Sequence, residues 1–154
     1  MIILKSFAIF SRLILSSMNP RFKCSDFLCR VYVEDTDFQG VVYHANYLKY
    51  LERARSQFLI ENKLSQTEAM FNNESYIVRS IILSYKNSAH LEDELLIRTH
   101  IELVSRARMQ FFQSVISVKN DTLICKGEVE VCYLQNNLGK PIAFPESLLT
   151  LFKN

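Results

Sequence analysis

From residue 28 the chain alternates between apolar and polar positions: Leu28–Glu34 (LCRVYVE) has the period of two that predicts a strand. Asp35–Gly40 is a polar break closed by Gly, a loop signal. From Ala45 to Asn62 the period becomes helical. Tyr47, Tyr50 or Leu51, Ala54 and Phe58 share one face, while Lys49, Glu52, Arg53, Ser56 and Gln57 mostly occupy the other. These 18 residues would make a helix roughly 27 Å long, the width of a small domain. Ser65–Phe71 predicts a short second helix, with Ser65 and Glu68 spaced as a capping box.

The second half is rich in β-formers. Tyr76–Lys86, Glu94–Val104, Met109–Lys119 and Thr122–Gln135 read as four long strands, with breaks at Asn87–Asp93, Ser105–Arg108 and Asn120–Asp121. Asn120–Asp121 is the shortest break and reads as a tight hairpin turn. No gap between the last three strands can hold a helix, so the sheet is expected to be antiparallel. Leu138–Pro145 reads as a turn and Glu146–Phe152 as a final half-helix. One strand, one long helix and four long strands give an α+β class. A lone long helix can bury its apolar stripe only if the sheet curls around it.

Composition narrows the function classes. A chain of 154 residues accommodates one domain, and 49% apolar with 22% charged residues is ordinary for a globular protein. The formal charge of +2 comes from the first 27 residues, where Lys5, Arg12, Arg21 and Lys23 outweigh Asp26. The remainder is close to neutral and lacks the basic stripe of a nucleic-acid binder. Cys24, Cys29, Cys125 and Cys132 form no CxxC and have no His at ligand spacing, so no metal site is expected and reduced thiols of a cytoplasmic protein are. Residues 1–17 are apolar but interrupted by Lys5 and Arg12, too short for a membrane span and a poor signal peptide. They read either as an amphipathic extension touching a membrane or as sequence ahead of a true start at Met18, the favoured reading. The expected domain is then 18–154.

Residues 34–47 stand out chemically. Glu34, Asp35 and Asp37 lie next to Gly40 and just ahead of the long helix. A helix start offers unpaired N–H groups and a positive dipole end, which can hold a developing oxyanion. A carboxylate beside it can act as nucleophile or as general base on water. From spacing alone, however, capping and solvated loop charges are the commoner explanation of such a cluster.

The run DTDFQGVVYHANYLKYLERAR resembles the signature of hotdog-fold thioesterases of the 4-hydroxybenzoyl-CoA thioesterase type. Within that group it is most similar to the YbgC-like acyl-CoA thioesterases associated with the Tol-Pal envelope system. Asp35, Asp37, Gly40, Val41, Val42, Tyr43, His44, Ala45, Asn46 and Tyr47 match the pattern's fixed positions. Weaker similarity continues through Tyr85, Ala89, Leu91, Glu92 and Asp93 to Glu128 and Val131. The resemblance implies a single-domain hotdog fold, a five-stranded antiparallel sheet wrapped around one central helix. It implies acyl-CoA hydrolysis without a cofactor, CoA being part of the substrate. Asp37 falls on the catalytic carboxylate, and His44 on the residue whose backbone N–H meets the thioester carbonyl. The imidazole of His44 is a second candidate contact to the thioester.

Gly40 is expected to turn the loop so that Asp37 faces the helix start, and Asp35 to anchor that loop. Tyr43 and Asn46 are expected to shape the acyl pocket or the loop, with Val42 beside them. Glu52 is a rival base, although a surface ion pair with Arg53 and Arg55 is the preferred reading. Arg106 and Arg108 are candidates for the CoA phosphates, ahead of Arg79 and Lys86. His90 and His100 are expected to be structural or exposed. No Gly-x-Ser-x-Gly elbow and no Walker or dinucleotide glycine pattern occurs. The competing classes are a hotdog hydratase or dehydratase, and a non-catalytic binding partner of acyl carrier protein or envelope machinery. Hotdog subunits pair by joining their sheets, so a homodimer assembled to a homotetramer is expected.

Overall fold

The computed structural model describes residues 21–153, and the expectations for residues 1–17 and for a start at Met18 lie outside them. The amphipathic run forms helix α1, Tyr47–Glu61, entered through a 3-10 turn at His44–Asn46. Its buried face carries Tyr47, Tyr50, Leu51, Ala54, Phe58 and Leu59, as the periodicity requires. Arg55 is buried with them, which the apolar pattern did not predict. Helix α2, Gln66–Phe71, is capped by Ser65, whose hydroxyl accepts the Glu68 N–H at 3.1 Å.

The first strand tier is split into β1, Phe22–Lys23, and β2, Phe27–Arg30. Lys23 lies opposite His100 and Phe27 opposite Ile97, so four steps on one side face three on the other, a bulge. β2 stops short of the expected Glu34. Val31 still bonds to Asp93 and Glu92, but Val33–Asp35 then winds into a 3-10 turn. The Asp35 carboxylate holds that turn by accepting the Tyr32 N–H at 2.9 Å, a local bond that outcompetes continued extension.

The other strands are β3, Glu74–Tyr85; β4, Glu94–Ser105; β5, Arg108–Ser117; and β6, Thr122–Gln135. All neighbours are antiparallel, in the order β1/β2–β4–β5–β6–β3. The short β7, Lys140–Pro141, pairs antiparallel with the end of β6, and helix α3 covers Glu146–Thr150 rather than reaching Phe152. Seven segments thus fill five main tiers around α1, the expected hotdog arrangement. The β5–β6 connection is the residue 118–121 turn, not a two-residue hairpin at Asn120–Asp121. Asp121 supplies the left-handed residue (φ 51°), and Asn120 Oδ1 accepts the Thr122 N–H at 3.3 Å.

Helix and sheet meet closely at Gly127 on β6. A Cβ built there would lie 2.5 Å from Leu51 Cδ1 and 3.1 Å from Leu83 Cδ2, and Leu51 is fully buried. The core falls into two clusters along α1. One surrounds Tyr47, Tyr50, Leu51 and Ala54 near the helix start, and the other surrounds Phe58, Leu59, Met109 and Phe111. Between them lies a buried polar layer of Arg55, Gln113 and Thr99. Gln113 Nε2 donates to the Leu51 carbonyl at 3.0 Å and so ties helix to sheet.

Gly127→Ala is predicted to lower unfolding free energy by about 1–3 kcal/mol through overpacking against Leu51. Urea unfolding followed by circular dichroism checks this, and an unchanged midpoint would contradict the close helix–sheet approach.

Candidate active site

The segment between β2 and α1 is a small hairpin. Thr36 bridges to Val42, the Gly40 N–H donates to the Asp37 carbonyl at 3.0 Å, and the Asp37 N–H donates to the Val41 carbonyl at 2.9 Å. This is a turn closed by a left-handed residue, and Gly40 takes that place at φ 75° with open space where a Cβ would be. The loop is fixed to the scaffold on both sides. Val42 N–H donates to the Ala89 carbonyl at 2.9 Å, and Val41 bridges to His90.

Asp35 is the hub. Its main-chain carbonyl accepts the Tyr43 N–H and Asn46 Nδ2, each at 2.9 Å, and the residue is 2% exposed. One backbone oxygen therefore locks the acidic loop to the first turn of the helix. These bonds anchor the loop at Asp35 and tie Asn46 to it. Tyr50 packs its hydroxyl next to the Asp35 carboxylate with no hydrogen-bonding geometry to any described group, and burial first, then that carboxylate, push its pKa up.

Asp37 is half-buried at the base of the turn. Its Oδ1 accepts the Gln39 N–H at 2.8 Å, and no described group bonds its other oxygen. The carboxylate is thus oriented at one oxygen and open at the other. His44 opens the helix, and its own N–H meets no acceptor among the described residues. Its ring is exposed and sits 4.4 Å from that of Tyr43. The hairpin brings Asp37 to the end of the sheet where α1 begins, so a carboxylate and an open helix-start amide share one end of the molecule.

One feature there escaped the sequence reading. The Tyr85 hydroxyl donates to the His44 carbonyl at 2.9 Å, and its ring meets Tyr47 at 5.7 Å and His44 edge-on at 6.4 Å. The last strand residue before a break thus braces the helix start. The alternation Ile81, Leu83, Tyr85 marks it as inward-facing, but nothing local marks its hydroxyl. Val42, expected beside the residues that shape the pocket or the loop, is 5% exposed and packs in the core, so it supports the loop from below.

Arg106 and Arg108 are not brought to this end. β4 starts beside the loop at Glu94 and carries the chain about 35 Å away before the hairpin that holds them. There Arg106 approaches Glu146 at 3.4 Å and Arg108 approaches Glu130 at 3.7 Å. Arg79 pairs with Glu130 at 2.9 Å. Lys86, exposed and directly after Tyr85, is the basic candidate adjoining the helix start. Glu52 forms no ion pair with Arg53 or Arg55 within 4.0 Å; it accepts the Ser56 hydroxyl, at 2.5 Å. His90 is exposed and its N–H donates to Asp93.

Burial pushes the Cys24 thiol up to about 12 and the Cys29 and Cys125 thiols to about 11, so these stay protonated at neutral pH. No group of three or more His, Cys, Asp or Glu among the described residues could hold a metal ion. No described helix is long and apolar enough to cross a membrane.

Comparison with known proteins agrees with this fold. The profile of the thioesterase-like superfamily matches residues 31–152. The acyl-CoA thioester hydrolase YbgC of Escherichia coli O6:H1 is 38% identical over 124 residues, covering 80% of this chain and 92% of that protein. The crystal structure of a probable thioesterase from Bartonella henselae superposes with a TM-score of 0.69 at 34% identity, over 79% of this chain and 98% of that one. A 1,4-dihydroxy-2-naphthoyl-CoA thioesterase from Synechocystis shares the fold, with a TM-score of 0.80 at 20% identity over 86% and 96% of the two chains. A helix cradled by an antiparallel sheet, an acidic hairpin at its start and this sequence match together place the chain in the thioesterase-like superfamily.

Proposed function

We propose that this chain hydrolyses acyl-CoA thioesters to free acid and CoA at the Asp37 hairpin and the start of α1. The observation that carries the reading is the pairing of a carboxylate with one unbonded oxygen and an unpaired helix-start N–H at one end of the fold. The relative from Escherichia coli, named as an acyl-CoA thioester hydrolase, supports the substrate class.

Asp37 has two routes. As general base it takes a proton from water, and the hydroxide attacks the thioester carbonyl. As nucleophile it attacks directly, giving a mixed anhydride that water then opens. In both, the carbonyl oxygen becomes an oxyanion, the His44 N–H donates to it, and collapse breaks the C–S bond to release CoA. Gly40 and Tyr43 rim the site, and Asn46 and Val42 hold its frame. No cofactor enters, CoA being part of the substrate, and an acyl carrier protein is a second carrier of the same thioester.

The exposed side chains of Ile77, Val78, Ile81 and Ile82 on β3, which has no described strand on its outer side, support pairing of two copies along that edge. Assembly of such pairs into a tetramer follows from the family resemblance. Arg106 and Arg108 would then meet CoA only from a neighbouring copy. Free cysteines fit a cytoplasmic setting.

Purified protein is expected to release free thiol from acyl-CoA substrates, read with a thiol-reactive dye across a panel of chain lengths. No release from any member would overturn the reading. Tyr85→Phe, which frees the His44 carbonyl, is predicted to lower kcat about tenfold with KM within about threefold, because misplacing an oxyanion donor is felt in the transition state. Equal loss in both constants, or none, would contradict a positioning role for Tyr85.

A further inference from the structure

Among the described residues one buried side-chain nitrogen or oxygen has no hydrogen-bond partner, the Tyr50 hydroxyl. Tyr50 is fully buried on α1, in the cluster that also holds Val31 and Val42 on either side of the acidic hairpin. Its ring meets that of Tyr47 edge-on at 6.1 Å, and its hydroxyl lies beside the Asp35 carboxylate. Asp35 is itself 2% exposed. Its Oδ2 accepts the Tyr32 N–H at 2.9 Å, and no described group donates to its Oδ1. A buried donor and a buried acceptor, each with capacity unused, therefore sit side by side without a bond. Tyr47, one turn earlier on the same face, shows the contrast, since its hydroxyl accepts the Ala89 N–H at 3.3 Å.

An unmet hydroxyl in a core costs its full desolvation, whereas a phenyl ring of the same shape would fill the space without that cost. The hydroxyl is useful only in an arrangement where it is bonded, and the neighbouring groups show what that arrangement would alter. The Asp35 main-chain carbonyl holds the Tyr43 N–H and Asn46 Nδ2, each at 2.9 Å. A pull on residue 35 toward α1 is passed through those bonds to the first turn of the helix. Asp37 lies two residues along the hairpin, and His44 directly follows Tyr43. One bond at residue 35 thus acts on the carboxylate and on the helix-start amide together.

We propose that Tyr50 is a positioning residue for the hydrolysis proposed above: in the reacting complex its O–H donates to Asp35 Oδ1 and seats the acidic hairpin against the start of α1. The inference rests on that reading and deepens it by naming what fixes Asp37 relative to the His44 N–H. Tyr50 touches neither substrate nor reacting atoms and acts through Asp35. Because the bond is missing from the free chain, its value is realised as the reacting groups are brought into line, and its loss is felt in the transition state.

The test is Tyr50→Phe in the full chain, which keeps the ring and removes the oxygen. Its kcat on an acyl-CoA is expected to fall about tenfold with KM within about threefold of wild type. The urea midpoint of the free chain is expected to equal or exceed that of wild type, since an unmet hydroxyl has been removed. A merely structural hydroxyl gives the reverse, a lower midpoint with kcat retained, and that result overturns the proposal. In Asp35→Asn, whose single side-chain oxygen is left to the Tyr32 N–H, adding Tyr50→Phe is expected to change kcat by less than about twofold. A second full loss in that background overturns Asp35 as the partner. Should Asp35→Asn fail to fold, the split between kcat and midpoint in Tyr50→Phe alone still decides. An active wild type with an equally active Tyr50→Phe overturns the positioning role alone, whereas a wild type that releases no thiol overturns the hydrolysis and the positioning role together.

Discussion

A single long helix has to bury its apolar stripe, and only a sheet bent around it can do so. Everything else in this molecule follows from that constraint. The tight seat of Leu51 against Gly127 and the Gln113 bond to the Leu51 carbonyl set how close α1 lies to the strands. With the middle of the helix fixed, its first turn is fixed at one end of the sheet. The start of α1 is then braced from three directions, by Asp35, by the β3 end at Tyr85, and by Ala89, whose N–H donates to the Tyr47 hydroxyl at 3.3 Å.

The site's precision is mostly a backbone property. One carbonyl, that of Asp35, joins the hairpin to the helix through Tyr43 and Asn46. Gly40 supplies the left-handed turn that lets the main chain fold back, and Gln39 orients one oxygen of Asp37. The reacting groups proposed above are therefore an oriented carboxylate and an amide. Rigid support of this kind lets an oxyanion donor act without reorganising during the reaction. The acyl chain's enclosure is a different matter, because the exposed edge β3 and the exposed ring of Tyr43 leave that side of the isolated chain open.

Much of this was legible in the sequence, for identifiable reasons. The helical period from Ala45 to Asn62 and the four long β runs are strong, repeated signals, so α1 and β3 to β6 were expected within a few residues of their observed ends. The end of β2 was not, because the Asp35 side chain bonding back to Tyr32 is a local competition that alternation does not report. The β5–β6 turn was misjudged for a similar reason: Val118 and Lys119 look like strand residues, yet the ladder ends at Ser117 opposite Thr122. Arg55 was assigned to the surface because charge predicts exposure, and its burial needs Gln113, 58 residues away. Arg106 and Arg108 were chosen by residue type, and chain distance along β4 takes them from the site. Within the acidic cluster, physical spacing could not rank Asp37 above Asp35. The family pattern did, and the structure gives them different surroundings, one half-buried with a free oxygen and the other buried and bonded.

The central claim is that Asp37 is the reacting carboxylate. Its most direct test is the kcat of Asp37→Asn on a turned-over acyl-CoA, measured beside binding of free CoA and the unfolding midpoint. A fall of about a thousandfold with CoA binding and stability near wild type is predicted, the scale of losing a general base or nucleophile. A kcat within tenfold of wild type would contradict it.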